Sequence, residues 1–478
     1  MIKRILLFGI VTILITGPLS TQAAVPQSSV ALEPWTNMII DQSDSVYLGQ
    51  YISIDHYERT SRAYISYYDE THGDLKLAYQ VSAGTGNCGN TNWICETIDD
   101  STDDVGKFSS IDVIDARLLP LTSEGEVNQL LIDQYYAKIG ISYYDDTNNA
   151  LKFALRTCTL YSESPCKWTI TQIDFDGALF SLDDLGQYTS FKFDSLGTPT
   201  IFYHGQSSKD GFFHGYVKRA ILTGTVTGKC DDGWECEIIA KSDVDRTYGT
   251  HISADGDSVA FYDGADDRLV LASPSRKPVS TCGSLNNWDC KVIDNIGDVG
   301  RFVSLINTEE YLTQMAYYDA SNGKVKYAIQ TSPGEGTCAS GNYKCFAVDT
   351  IGVANVDTGI GLSLALDLEG APIIAYQDFS KPLSPDTLKL ARPSSAYNLP
   401  AGNCGEIPPG YGSLYWQCIL LDGSGLFRNE AGYTAVSVNP AGLATVAFYE
   451  TYNMQPFNRG SLKVAQQQFV VQLPLIMK

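Results

Sequence analysis

Beyond residue 34 the chain is written in short runs of alternating apolar and polar positions, each closed by Gly, Asn, Asp or Pro. Tyr, Phe, Val, Ile and Thr dominate the runs, and a period of two belongs to a half-buried strand. After the first 24 residues no stretch of useful length carries the 3.6-residue period of a helix. The pattern predicts an all-β protein.

The runs repeat. One phrase is a β-branched or apolar residue, a small one, an aromatic, then usually Tyr-Asp. It occurs as ISYYD at Ile65 and Ile141, IFYHG at Ile201, VAFYD at Val259, MAYYD at Met315, IAYQD at Ile374 and VAFYE at Val446. After a short polar turn comes a second phrase, LKxA in its commonest form, starting at Leu75, Leu151, Val217, Leu269, Val325, Leu388 and Leu462. A third is aromatic, usually Trp-x-Cys, and runs into Ile-Asp, as at Trp93, Trp168 and Trp288, with looser versions at Trp234, Tyr343 and Trp416. The fourth is Gly-x-[Tyr/Phe]-x-Ser, at Gly49, Gly106, Gly186 and Gly300.

Four short strands in roughly 60 residues are too few residues for an immunoglobulin-like sandwich and too many for a solenoid coil, and they match one propeller blade. Naming the strands inner, second, third and outer, each type occurs seven times, provided that residues 35–41 (WTNMIID) count as an outer strand. The last unit lacks an outer strand of its own. The reading is a seven-bladed β-propeller of four-stranded antiparallel blades, its ring closed by the N-terminal strand, which leaves no raw blade edge. Second-to-third turns and outer-to-inner connections then share an upper face. The other connections share a lower face, which receives the 116–137 insert.

Length alone suggests two or three domains, but the repeats override it. The expected organisation is a signal peptide over 1–24, one propeller over 25–468 and a tail over 469–478. The leader is predicted from basic MIKR, an apolar run from Ile5 to Ile15 too short to span a bilayer, and small residues at Thr21-Gln22-Ala23. The net charge of −22 argues against nucleic acid, anionic lipid or heparin as partners. Twelve cysteines in an exported chain read as disulfides. They fall into six close pairs: Cys88 with Cys95, Cys158 with Cys166, Cys230 with Cys236, Cys282 with Cys290, Cys338 with Cys345, and Cys404 with Cys418. Every pair is expected between a third and an outer strand, on the lower face. No CxxC occurs and the five histidines do not cluster with the cysteines, so no metal site is assigned.

The YYD-turn-LKxA unit resembles secreted bacterial propellers of the sialidase-like and fucose-binding-lectin-like type, over residues 35 to about 468. That resemblance implies the architecture. It implies little about activity, because the Asp-box turns S-x-D-x-G-x-x-W and the FRIP phrase of sialidases are missing.

No HExxH, GxSxG, P-loop or dinucleotide fingerprint is present. Asp243-Val-Asp245 and Asp174-Phe-Asp176 are fragments of a calcium loop, and no cofactor is assigned from them. Asp69, Asp145, Asp263, Asp319, Asp378 and Glu450 end the second strands. Each precedes a polar turn, so turn capping is expected of them rather than chemistry. Tyr67, Tyr143, Tyr203, Phe261, Tyr317, Tyr376 and Phe448 are expected to pack blades. Function is sought where a blade departs from its siblings, on the upper face. One candidate cluster is His204, Phe212, Phe213, His214 and Arg246 in the third blade and its neighbouring connection. The other is Lys381, Arg428, Tyr452, Phe457 and Arg459 around the sixth and seventh. Aromatics with arginines suit flat polar ligands such as sugars. The leading expectation is a non-enzymatic extracellular propeller that binds carbohydrate or a protein partner. A sialidase-like glycoside hydrolase, with Arg246, Arg301 and Arg428 clamping a carboxylate, is the second, and a purely structural surface module the third.

Overall fold

The computed structural model describes residues 34–43, 46–116, 137–158, 166–175, 183–209, 212–224, 230, 233–245, 247–275, 282, 288–308, 312–349, 358–378, 387–394, 402–405, 415–422, 433–454 and 457–468. The leader 1–24, the interior of the 116–137 insert and the tail 469–478 lie outside them. Among the described residues twenty-eight strands form seven four-stranded antiparallel sheets. Blades 1 to 6 span 48–99, 105–174, 184–242, 250–294, 299–349 and 358–422, each with its strands in chain order. Blade 7 takes its inner three strands from 434–467 and its outer strand from Trp35–Gln42, which pairs antiparallel with Phe457–Gln467 from Trp35↔Gln467 to Gln42↔Ser461. The first and last described strands thus close the ring. Among the described residues no helix is long and apolar enough to cross a membrane.

All six expected disulfides are present. Cys88 is bonded to Cys95, Cys158 to Cys166, Cys230 to Cys236, Cys282 to Cys290, Cys338 to Cys345, and Cys404 to Cys418. Their placement refines the expectation that the pairs lie between strands. The second cysteine of each pair belongs to the outer strand itself. Cys95, Cys236, Cys290, Cys345 and Cys418 are the third residue of that strand, and Cys166 is the first. The reason is the Trp-x-Cys phrase: Trp93, Trp234, Trp288, Tyr343 and Trp416 open their strands buried, and the cysteine two residues on follows on the same face. Cys95, Cys166, Cys290, Cys345 and Cys418 are half-buried and Cys236 is buried. Five bridges therefore pin the connection onto its outer strand, and Cys158–Cys166 joins the end of the third strand directly to the start of the outer one.

The seven aligned aromatics of the second strands are completely buried. In five of them the phenol has a partner in the preceding blade. Tyr67 donates to Asp41 (2.6 Å), Tyr143 to Asp99 (2.7 Å), Tyr317 to Asp294 (2.7 Å), Tyr376 to Asp349 (2.7 Å) and Tyr203 to Asp174. Each of these carboxylates also receives the lysine of the LKxA phrase, as in Lys76–Asp41 (2.8 Å) and Lys152–Asp99 (2.6 Å). The Ile-Asp ending and the LKxA lysine are therefore two halves of one inter-blade clamp. Between blades 3 and 4 all three members change together, to Ala240, Phe261 and Val270, and the clamp position there is apolar.

Four of the second-strand acids cap turns. Asp69 accepts from the amides of Thr71 and His72, Asp145 from Asn148, Asp263 from Ala265 and Asp319 from Asn322. Asp378 and Glu450 hold Lys389 (2.6 Å) and Lys463 (3.0 Å).

Candidate functional site at the mouth of the central channel

The inner strands carry the Gly-x-aromatic-x-Ser phrase into the channel. The aromatic residue adopts a left-handed backbone in five blades: Tyr51 (φ 50°), Phe108 (53°), Tyr188 (51°), His251 (51°) and Phe302 (52°). Such values are rare outside glycine, and here they belong to a bulge at which the pairing register shifts. The glycine two residues earlier is needed for a second reason. A Cβ on Gly106 or Gly186 would lie 2.8 or 2.7 Å from the backbone of Leu75 or Leu151 in the preceding blade. Glycine lets the inner strand press against its neighbour, and the bulge then turns the next ring into the channel.

Together the rings make a collar at the upper end. Centroid distances around it are 4.6 Å for Tyr51–Phe108, 4.5 Å for Phe108–Tyr188, 4.8 Å for Tyr188–His251, 4.5 Å for His251–Phe302 and 4.6 Å for Tyr433–Tyr51. All six are half-buried. Blade 6 has Gly361 (φ 60°) at the equivalent position, so the collar is open once, between Phe302 and Tyr433. The cavity it encloses is about 200 Å³. A second layer of rings from the second strands stands behind it, with Tyr68, Tyr144, Tyr262, Tyr318 and Tyr449 each 5.9–6.2 Å from its collar partner.

Below the collar the phrase's serines join the blades. Ser53, Ser110, Ser190, Ser253, Ser304 and Ser363 each accept from an amide of the next inner strand at 2.9–3.1 Å. Ala435 takes the seventh position. The channel beneath holds a polar cavity of about 350 Å³, lined in part by Asp55, Lys192 and Asp255. Lys192 reaches Asp112 (3.0 Å), and burial raises the Asp55 and Asp255 carboxyls above the usual range.

The sequence-predicted residues are distributed unevenly over this site. His204 takes the place of a second-layer tyrosine. It is buried, 6.1 Å from Tyr188, and burial lowers its pKa to about 4. Phe212 and Phe213 are exposed (62% and 52%) on a hairpin that continues past Gly205 to the pair Lys209↔Phe212 and so stands above the upper face. His214 in the same hairpin bonds Asp243 at 3.2 Å. Blade 7 carries a matching extension, ending at Met454↔Phe457 and pairing Tyr452 with Arg459. Arg246, Lys381 and Arg428 lie outside the described residues, as do the side chains of Tyr452 and Phe457. Of the arginines considered for a carboxylate clamp, Arg301 is held by Asp298 (2.6 Å) and lies 5.2 Å over Tyr262. In the calcium-loop fragments, Asp174 receives Tyr203 and Lys218, and Asp245 receives the amide and hydroxyl of Thr247. Sequence reasoning missed the collar. Its signal was the fourth phrase, which continues in disguise as GTHIS at Gly249 and GIGLS at Gly359.

No protein-family profile matches the chain, and no curated protein sequence matches it. Among solved structures it is similar to a chain of ctPRC2 (8% identity, TM-score 0.41, covering 92% of this chain and 98% of that one). It is also similar to a puromycin hydrolase complexed with PGG (8%, 0.32, 87% and 60%) and to polysaccharide lyase Uly1 (11%, 0.27, 87% and 77%). Similarities this low carry no functional information.

Proposed function

We propose that the protein is an extracellular, non-catalytic binding propeller whose ligand enters the upper mouth of the channel, and that the ligand is a neutral carbohydrate. The collar carries this reading: six half-buried rings around a concave opening are a surface on which sugar C–H faces pack. The hairpins of blades 3 and 7, with Phe212 and Phe213 at one tip, extend the walls. The net charge of −22 disfavours polyanionic glycans. Six disulfides fit an extracellular setting. The hydrolase alternative needs carboxylates poised on substrate, whereas the second-strand acids serve turn amides and lysines.

A glycan array run beside a fluorogenic glycoside panel tests the reading. Binding without turnover is expected. Replacing Tyr188 with Ala, or Phe212 and Phe213 with Ser, should weaken binding more than tenfold, about 1.4 kcal/mol. Turnover of any glycoside would favour the hydrolase. Binding that survives these changes but disappears when the 116–137 insert is shortened would move the site to the lower face.

A further inference from the structure

We infer that the single opening in the aromatic collar, at Gly361, seats one neutral sugar ring whose hydroxyls bond Gln377 and Thr434; this rests on the carbohydrate reading above. Three observations converge on this opening, two from blade 6 and one from the inner strand of blade 7. First, Gly361 removes the collar ring from a position where the six other blades keep one. Second, Gln377 replaces the second-layer ring of the same blade: it pairs with Ile360 as Tyr68 pairs with Gln50. Its side chain is 0% exposed, and neither its amide oxygen nor its amide nitrogen has a hydrogen-bond partner. Third, Thr434 lines the collar cavity next to Gly361, is 8% exposed, and its hydroxyl has no partner either.

A buried amide with both ends unsatisfied is destabilising, and native proteins rarely keep one without a use for it. The repeat offers this chain an apolar solution, since the ring pair of every other collar position buries no free amide. Blade 3 shows the contrast. There His204 also leaves a ring nitrogen unpartnered, but Tyr188 stands over it at 6.1 Å and the collar is closed. Blade 6 alone combines the missing ring with free polar atoms. A primary amide presents one acceptor and two donors in a plane, and a hydroxyl does both. Neighbouring sugar hydroxyls, each a donor and an acceptor, match that set. Phe302 and Tyr433 line the cavity on the two sides of the opening and would take the C–H faces of the ring.

The test uses the full chain and the methyl glycosides of glucose, galactose, mannose, fucose and N-acetylglucosamine, titrated by calorimetry and by saturation-transfer NMR. The variants are Gln377→Leu, Thr434→Val and Gly361→Tyr. The last should fold, because the aromatic residues of five sibling blades hold φ of 50–53° where Gly361 has 60°. Wild type should bind at least one glycoside. Gln377→Leu and Gly361→Tyr should each lose more than tenfold in affinity, and Thr434→Val should lose less. Melting temperature supplies a readout that needs no ligand: Gln377→Leu should hold or raise it, since it removes unsatisfied polar atoms. A fall of several degrees would show that the amide is structurally partnered and would overturn the seat. Binding retained by both Gln377→Leu and Gly361→Tyr would overturn the seat alone. Absence of binding to every glycoside in wild type would overturn the seat and the carbohydrate reading together.

Discussion

At the scale of single residues, the recurring unit of stability is the Tyr–Asp–Lys clamp. Asp99 shows its balance. Burial pushes its carboxyl up, yet hydrogen bonds from Lys152 and Tyr143 outweigh that and hold it below the ordinary range. The clamp's contribution from Asp99 is therefore present at neutral pH and lost as pH falls through the carboxylate range. Breaking one half leaves an unpaired buried charge, whereas an all-apolar set of similar shape is tolerated. The interface between blades 3 and 4 already carries such a set in Ala240, Phe261 and Val270. Lys152→Met should thus cost about 3–5 kcal/mol in denaturant unfolding. The triple change Asp99→Ala, Tyr143→Phe and Lys152→Val, which copies the blade 3–4 interface, should cost much less than Lys152→Met alone. Equal costs would mean that the charges themselves stabilise. The tyrosine's burial was legible from its alignment in every blade. The lysine and aspartate were not, because they meet across a blade boundary, as Lys152 and Asp99 do 53 residues apart.

At the scale of elements, the inner strand does two things with one phrase. The bulge aims a ring at the channel, and the serine two residues on ties the strand to the next blade. Six of the seven serine bonds are present, and Ala435 leaves the Ile54 amide without one from blade 7, at the junction where the chain ends meet. Ala435→Ser should therefore stabilise the protein by about 1 kcal/mol, and Ser190→Ala should destabilise it by a similar amount, both read from chemical denaturation. The same junction depends on Trp35–Gln42. Deleting that strand exposes the Phe457–Gln467 edge and should lower the melting temperature far more than removing 469–478. Equal effects would refute strand closure. The phrase was read as a strand marker in four blades. Its role as a collar was hidden because the left-handed φ that turns the ring inward cannot be seen in residue identity.

For the whole molecule, two layers of reinforcement act on different states. Each disulfide closes a short local loop, worth about 2.5–3 kcal/mol on the chain-entropy account. Non-reducing peptide mapping should return the six local pairs and no cross-blade pair. The histidines act on the folded state's response to acid. Burial holds His56 near 4 and His204 near 4; His251 is lowered to about 3 by burial, then by Arg301 and His204. A lowered folded pKa contributes stability above the unfolded value of about 6.5 that is lost as pH falls toward the folded value. Asp55, raised by burial, acts in the opposite sense. His251→Phe isolates one such group at a position where blades 2 and 5 already have Phe. Relative to wild type it should gain up to about 1.4 kcal/mol for each pH unit below 6.5. A parallel pair of pH–stability curves would show that His251 titrates alike in both states.

Strand type, blade number, ring closure and cysteine pairing were all determined by the sequence alone. Each is a local pattern repeated seven times or a short loop, so one copy corroborates the next and little depends on distant geometry. The upper-face turn acids were legible for the same reason: an Asp before a polar turn finds its partners two or three residues away. What lies between blades was decided by tertiary structure. Ring closure brings the seven inner strands together, and only then do Tyr51, Phe108, Tyr188, His251, Phe302 and Tyr433 become one collar. The odd residues were visible as departures from the repeat, and His204 was read in that way. Gly361 and Gln377 acquire meaning only as neighbours, where a missing ring and a free amide fall at one position of a circle that the linear order of the chain does not display.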